Sequence, residues 1–204
     1  MNCMAKGTNF FLVQGKLVGK KPERDGGETL TILVDENFGK ETFPKVYVPK
    51  RLKKPLEMYQ NYYIEGLVEG GNEVVGHKTM HVQRFYATKI TPAVEELEDY
   101  ATGHEIRKGS AFRGYLTGDL VRTIDINDEW GKIVLRVPVE CEGDPNYIRI
   151  SYNKKMFHLP KMSELVQYGR YSAYSRISTP KKDIGGKPRT FCNLMLTNLE
   201  LIGA

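Results

Sequence analysis

The stretch Val13-Gln14-Gly15-Lys16-Leu17-Val18 returns in outline 103 residues later as Leu116-Thr117-Gly118-Asp119-Leu120-Val121. At the same spacing Leu30, Ile32 and Val34 fall on Ile133, Leu135 and Val137. Val46 and Val48 match Ile148 and Ile150 at 102, and Gln60 and Ile64 match Gln167 and Tyr171 at 107. Val82, Tyr86 and Thr88 match Phe191, Met195 and Thr197 at 109. A spacing that drifts by a few residues is expected where loops change length while the elements between them persist. Five matches in order read as a duplicated domain.

Within each copy the apolar residues alternate with polar or aromatic ones, as Leu30/Ile32/Val34 do with Thr29, Thr31 and Leu33, which is the pattern of a half-buried strand. Gly26-Gly27, Gly70-Gly71 and Gly185-Gly186 sit between such runs, where turns need positive φ. Each copy yields five strands, with a short helical segment between the third and fourth at about Leu52–Tyr59 and Leu159–Val166. That order is the OB-fold's, although another small barrel class could share the strand count. Gly15 and Gly118 suit the bend of a first strand that serves both sheets. The expectation is an all-β protein with short helices, made of two tandem five-stranded OB-fold barrels at 1–91 and 109–204. The acidic linker 92–108 between them is read as solvated, with a turn or two of helix before Gly103.

The 204 residues carry a net charge of +5 and 40% hydrophobic side chains, enough for packed cores. The charge is +4 over 1–91, −3 over 92–108 and +4 over 109–204. Two equally basic bodies favour a polyanionic partner. No apolar run reaches membrane-spanning length and the first residues lack a secretory pattern, so a cytoplasmic protein is expected. Cys3, Cys141 and Cys192 are too far apart for a disulfide framework or zinc pattern, and His77, His81, His104 and His158 are read as polar loop residues. No cofactor is expected. Phosphate loops, nucleophile elbows and zinc-protease motifs are absent, and Asp125, Asp128 and Glu129 read as turn chemistry, so no catalysis is expected.

The run Asn9-Phe10-Phe11-Leu12-Val13-Gln14-Gly15-Lys16-Leu17 with Pro22-Glu23, and Tyr62-Tyr63-Ile64-Glu65-Gly66-Leu67, resemble the first and fourth strands of the bacterial single-stranded DNA-binding protein family. The second half resembles it only through the repeat, with Tyr171-Ser172-Ala173 where Ile-Glu-Gly would stand. The resemblance implies strand coating in replication or recombination, and the two-barrel form suggests a phage or mobile element within a bacterial host cell. The chain ends Leu199-Glu200-Leu201-Ile202-Gly203-Ala204, without the family's acidic tip that recruits replication proteins. Any such partner would then use another surface. A homodimer would present four barrels, as a tetramer of single barrels does, and nothing in the sequence establishes it.

Nonspecific single-strand binding needs cations and flat aromatic faces. If Val46 and Val48 point inward, Lys45 and Tyr47 point out on the usual binding face. In the second half the matching outward positions are Tyr147 and Arg149, with Arg136 beside them, so Tyr47 and Tyr147 are the expected stacking residues. Lys50 and Arg51 begin a cationic run that reads equally as a helix entrance or a phosphate clamp. The hairpins between strands four and five are expected to contact DNA through His77, Lys78, His81 and Arg84 in the first half. In the second, Tyr174, Arg176, Lys181, Lys182, Lys187 and Arg189 form a basic arm. Trp130 fits stacking or core packing equally, and Phe38 and Phe43 could stack or close the barrel end. An OB module for RNA or protein is the alternative function, because stacking and phosphate contacts do not separate DNA from RNA.

Overall fold

The structure is a computed structural model and describes residues 9–36, 40–75, 78–93, 97–98, 105–106, 111–138, 145–184 and 186–203. Ten strands build its body. The first five are β1 (Asn9–Pro22), β2 (Glu28–Glu36), β3 (Lys45–Val48), β4 (Asn61–Val75) and β5 (Lys78–Pro92). Then come β6 (Ala111–Asp125), β7 (Trp130–Val137), β8 (Asn146–Asn153), β9 (Arg170–Ser178) and β10 (Asn193–Gly203). The alternation read from sequence is real: Leu30, Ile32 and Val34 are wholly buried, as are Ile133, Leu135 and Val137. Burying one such side chain contributes about 1.5–3 kcal/mol. Phe11 and Phe85 meet edge to face at 5.2 Å in this core.

Strands β1–β4–β5–β3–β2 form a ring that β1 closes by pairing with β2. Strands β6–β9–β10–β8–β7 form a second, closed by β6 on β7. In each ring only the third and fifth strands run parallel. These are two OB-fold barrels. Gly15 and Gly118 let the first strand pass close over the second. A Cβ would stand 2.2 Å from the Leu33 carbonyl oxygen at Gly15, and 2.6 Å from that of Arg136 at Gly118.

The expected helices shrink to single 3-10 turns at Lys50–Leu52 and Met162–Glu164. Pro55 forbids a helix through Lys53-Lys54, because it lacks a donor and drives the chain before it to extended backbone. Lys53 and Leu165 both close their turns in the extended region. In the connector, Leu97–Glu98 pairs antiparallel with Glu105–Ile106, so those residues are extended where a helical turn was expected. The rest of that helical expectation lies outside the described residues.

Strand pairing also corrects the alignment of the copies. Leu30 pairs with Val46 and Ile133 with Ile150, so Val46 corresponds to Ile150 rather than Ile148. Lys45 therefore corresponds to Arg149, Tyr47 to Ser151 and Phe43 to Tyr147. Gly15 pairs with Tyr62 and Gly118 with Tyr171, so Ile64 corresponds to Ala173 rather than Tyr171. The hydroxyls of Tyr62 and Tyr171 accept matching bonds, from the Glu57 and Val166 N–H groups.

The barrels are joined by antiparallel pairing of β1 with β6, in which Phe11 faces Gly114, its own counterpart. A pseudo-twofold axis passes there, and contacts beyond it are exchanged in kind. The β4–β5 arm lies on β8: Gly70 N–H donates to Asn146 Oδ1 at 2.7 Å, and Gln83 Nε2 to the Arg149 carbonyl at 2.7 Å. On the first barrel, Phe43 N–H donates to Thr179 Oγ1 at 3.1 Å, and the Lys45 backbone bonds the half-buried Cys192 thiol. Thr179 and Cys192 are the counterparts of Gly70 and Gln83. The first barrel thus lays its fourth and fifth strands on the other's third, and the second barrel meets the first with the residues that adjoin those strands.

Candidate nucleic-acid interface

On the first barrel the turn Glu23-Arg24-Asp25-Gly26-Gly27 curls over the outer face of β3. It is closed by backbone bonds between Glu23 and Gly27 (3.0 Å) and between Gly26 and Glu23 (3.1 Å), with Gly26 at φ +86°. Asp25 Oδ1 accepts the Gly27 N–H at 3.0 Å, and its other oxygen accepts the Tyr47 hydroxyl. The Tyr47 hydroxyl, with this N–H, holds the Asp25 carboxyl below its ordinary range, and the same bond pushes Tyr47 up to about 12. Gly27 leaves the room that Tyr47 fills, since a Cβ would lie 2.6 Å from the Tyr47 hydroxyl oxygen and 2.7 Å from the Val48 carbonyl oxygen. Tyr86 meets Tyr47 edge to face at 5.0 Å. Together these groups wall a cleft of about 520 Å³ whose cations are Arg24, Lys45 and Arg84. Lys50 lays its methylenes against Gly26 at the cleft's rim, with Arg51 exposed beside it.

The second barrel builds the same corner differently. The counterpart of Tyr47 is Ser151, and the counterpart of Gly27 is Trp130. The large aromatic has moved from the third strand to the second, onto a hairpin as firmly held as the first barrel's turn. Asn127 Oδ1 accepts the N–H groups of Glu129 (3.0 Å) and Trp130 (2.8 Å). Lys154 Nζ reaches both the Asn127 carbonyl and Asp125 at 2.7 Å, and Glu129 stands 3.9 Å from Lys155. Asp125 and Glu129 therefore close the turn through ion pairs. Trp130 is half-buried at the start of β7.

The other expected residues of the second half do not gather there. Arg136 and Tyr147 are cross-strand partners about 20 Å along β7 from Trp130, taking six residues at the strand rise. Arg136 donates to Asp119 Oδ2 at 2.7 Å, which raises its pKa, and Tyr147 is 46% exposed. Arg149 is half-buried under the first barrel's arm. Tyr174 packs edge to face on Tyr115 at 5.4 Å, and Tyr115 lies against Phe10 at 6.2 Å, so Tyr174 serves the β1–β6 seam. Arg176 is exposed on the same outer face of β9. Lys181, Lys182, Lys187 and Arg189 lie on a two-stranded ribbon, Lys181–Ile184 with Lys187–Thr190. Their side chains, that of Lys78, and Phe38 and His77 altogether, lie outside the described residues. Sequence reading missed Asp25, Tyr86 and Gln83, whose roles depend on long-range neighbours.

His81 is caught where the first barrel's arm meets β8. Burial, with Arg149 and then Lys132 opposite, lowers its pKa from 6.5 to about 4. Its Nε2 is buried without a hydrogen-bond partner among the described residues. The unfolded chain binds the proton more readily, so stability rises with pH between about 4 and 6.5. It is fully present above that window and lost as pH falls through it. Melting temperatures measured from pH 7 to pH 4.5 should fall for the wild type, and the His81→Gln protein should show a shallower decline.

Among the described residues no group of three His, Cys, Asp or Glu side chains could hold a metal, and no helix is long and apolar enough to cross a membrane. No family model and no curated protein matches this sequence. Two solved structures of the single-stranded DNA-binding protein from Thermus aquaticus do match in fold. A deletion mutant is 18% identical with a TM-score of 0.61, covering 97% of this chain and 96% of its own. The wild type is 17% identical with the same TM-score, covering 98% and 95%. At that identity the likeness establishes the shared two-barrel fold across nearly the full length of both.

Proposed function

We propose that this protein binds single-stranded DNA without sequence preference and catalyses nothing. One observation carries the reading: both barrels hold one large aromatic at the same corner of the outer face, although different strands supply it. The exchange of Tyr47 beside Gly27 for Trp130 near Ser151 keeps the space at the corner filled, and in both barrels what fills it is a large flat ring. A ligand with flat bases can use that ring in either place. Cations border the first corner, and phosphate neutralisation with base stacking is the chemistry of sequence-tolerant single-strand binding. The fold shared with the Thermus aquaticus single-stranded DNA-binding protein supports the same partner.

In this reading the chain is a duplicated unit with barrels at 1–91 and 109–204 and a connector at 92–108. It coats strands during replication or recombination of a phage or mobile element in a bacterial host's cytoplasm. A second copy of the chain and replication proteins are its further candidate partners. Trp130 fluorescence supplies the test, titrated with oligo-dT, oligo-rU and duplex DNA at two salt concentrations. The expected result is tight binding to oligo-dT that weakens steeply with salt, and far weaker binding to duplex. Preference for duplex, or no salt dependence, overturns the reading, and preference for oligo-rU reassigns the protein to RNA.

A further inference from the structure

Tyr59 and Tyr168 stand in the left-handed region of backbone space, at φ 67° and φ 64°, and no other non-glycine residue does so among those described. Bulky side chains are strained there, and such strain persists only where the surroundings enforce it. The enforcement is the same in both barrels. Tyr59 N–H donates to the Leu17 carbonyl at 2.8 Å and Leu17 N–H to that of Gln60 at 2.9 Å. Tyr168 N–H donates to the Leu120 carbonyl at 2.7 Å and Leu120 N–H to that of Gly169 at 2.9 Å. Glycine would satisfy this loop without strain, yet both copies keep tyrosine. The rings are 70% and 68% exposed, so burial does not explain the choice.

Their surroundings differ in an informative way. In the second barrel Tyr147, Arg136, Asp119 and Arg170 are successive cross-strand neighbours over β8, β7, β6 and β9. Tyr168 precedes Arg170 by two residues and its N–H bonds the carbonyl of Leu120, the neighbour of Asp119, which places Tyr168 at the end of this row. The row thus carries a tyrosine and two arginines with Tyr168 at its end, and Asp119 fixes one edge of Arg136, leaving its remaining donors to a ligand. The first barrel has Phe43, Leu33, Lys16 and Asn61 at the corresponding places, with a single exposed cation. Phosphate binding there would be weaker.

We infer that Tyr59 and Tyr168 are base-stacking platforms of a second contact line for single-stranded DNA, strongest on the second barrel. The inference rests on the single-strand-binding reading above and extends it to a surface that the Tyr47 and Trp130 corners do not reach. The full chain carrying Tyr59→Gly and Tyr168→Gly tests it against two oligo-dT lengths, about 10 and about 30 nucleotides, chosen from the usual site size of one barrel and of two. Expected are an unchanged or raised melting temperature, unchanged binding of the short strand, and about tenfold weaker binding of the long one. Unchanged binding of the long strand overturns the inference and leaves the function standing. Equal loss on both lengths, or a lowered melting temperature, also overturns it, because the tyrosines then serve the primary face or the fold. Failure of the wild type to bind either strand overturns the function itself.

Discussion

Alanine at Tyr47 or at Trp130 is expected to weaken oligo-dT binding by about 1–3 kcal/mol in each case, the worth of one stacked base. The two losses should be comparable despite the different strands, because the two rings occupy one corner of the fold. Tyr47→Phe separates the contributions at the first corner. It keeps the flat face but loses the bond to Asp25, so it should cost much less than alanine if stacking dominates. Asp25→Asn keeps a partner for the hydroxyl and should behave like the wild type. Anisotropy with labelled oligo-dT measures all four without relying on Trp130 emission. If Tyr47→Ala binds like the wild type, the first corner is not where bases stack. If only Trp130→Ala does, the second barrel binds elsewhere.

Gly70→Val should cost about 1–3 kcal/mol of folding stability, the usual penalty for overpacking. A Cβ at Gly70 would stand 2.0 Å from the Tyr147 carbonyl oxygen, a backbone atom of β8 with no rotamer to change. The arm must then lift from the second barrel, taking the bonds of Gly70 to Asn146 and of Gln83 to Arg149 with it. The corresponding contact on the other side has room for a side chain, since Thr179 occupies the equivalent place. Thr179→Ala should therefore cost only one hydrogen bond, about 0.5–1.5 kcal/mol. Urea unfolding followed by circular dichroism measures both. A Gly70→Val protein as stable as the wild type would mean that the arm does not rest on β8.

Strand content was legible from the sequence because Leu30, Ile32 and Val34 alternate without a break, and Gly15 and Gly118 mark the bend of each first strand. Register was only half legible. A slip of one residue turns a strand inside out, but a slip of two preserves the alternation. Val46/Val48 therefore matched Ile148/Ile150 as well as Ile150/Tyr152, and Tyr147 stood in for the true counterpart of Tyr47. The exchange of Gly27 for Trp130 lies at the constant spacing of 103 and was visible in principle. A glycine in a turn, however, gives no sign that a tyrosine from the next strand fills its space. The first helix failed on Pro55, whose restriction outweighs the helix-forming residues around it, while the second stops at Leu165 in extended backbone. The exchanged arms were beyond reach, because Gly70 and Asn146 meet across 76 residues of chain.

The pairing of Phe11 with Gly114 has a consequence for any ligand that has a direction. Two bodies related by a twofold rotation present their surfaces in opposite senses. A DNA strand has a fixed 5′ to 3′ polarity, so a straight path across both barrels would meet the second one backwards. To meet both in the same sense it must double back between them, as a hairpin bend of the nucleic acid around the protein.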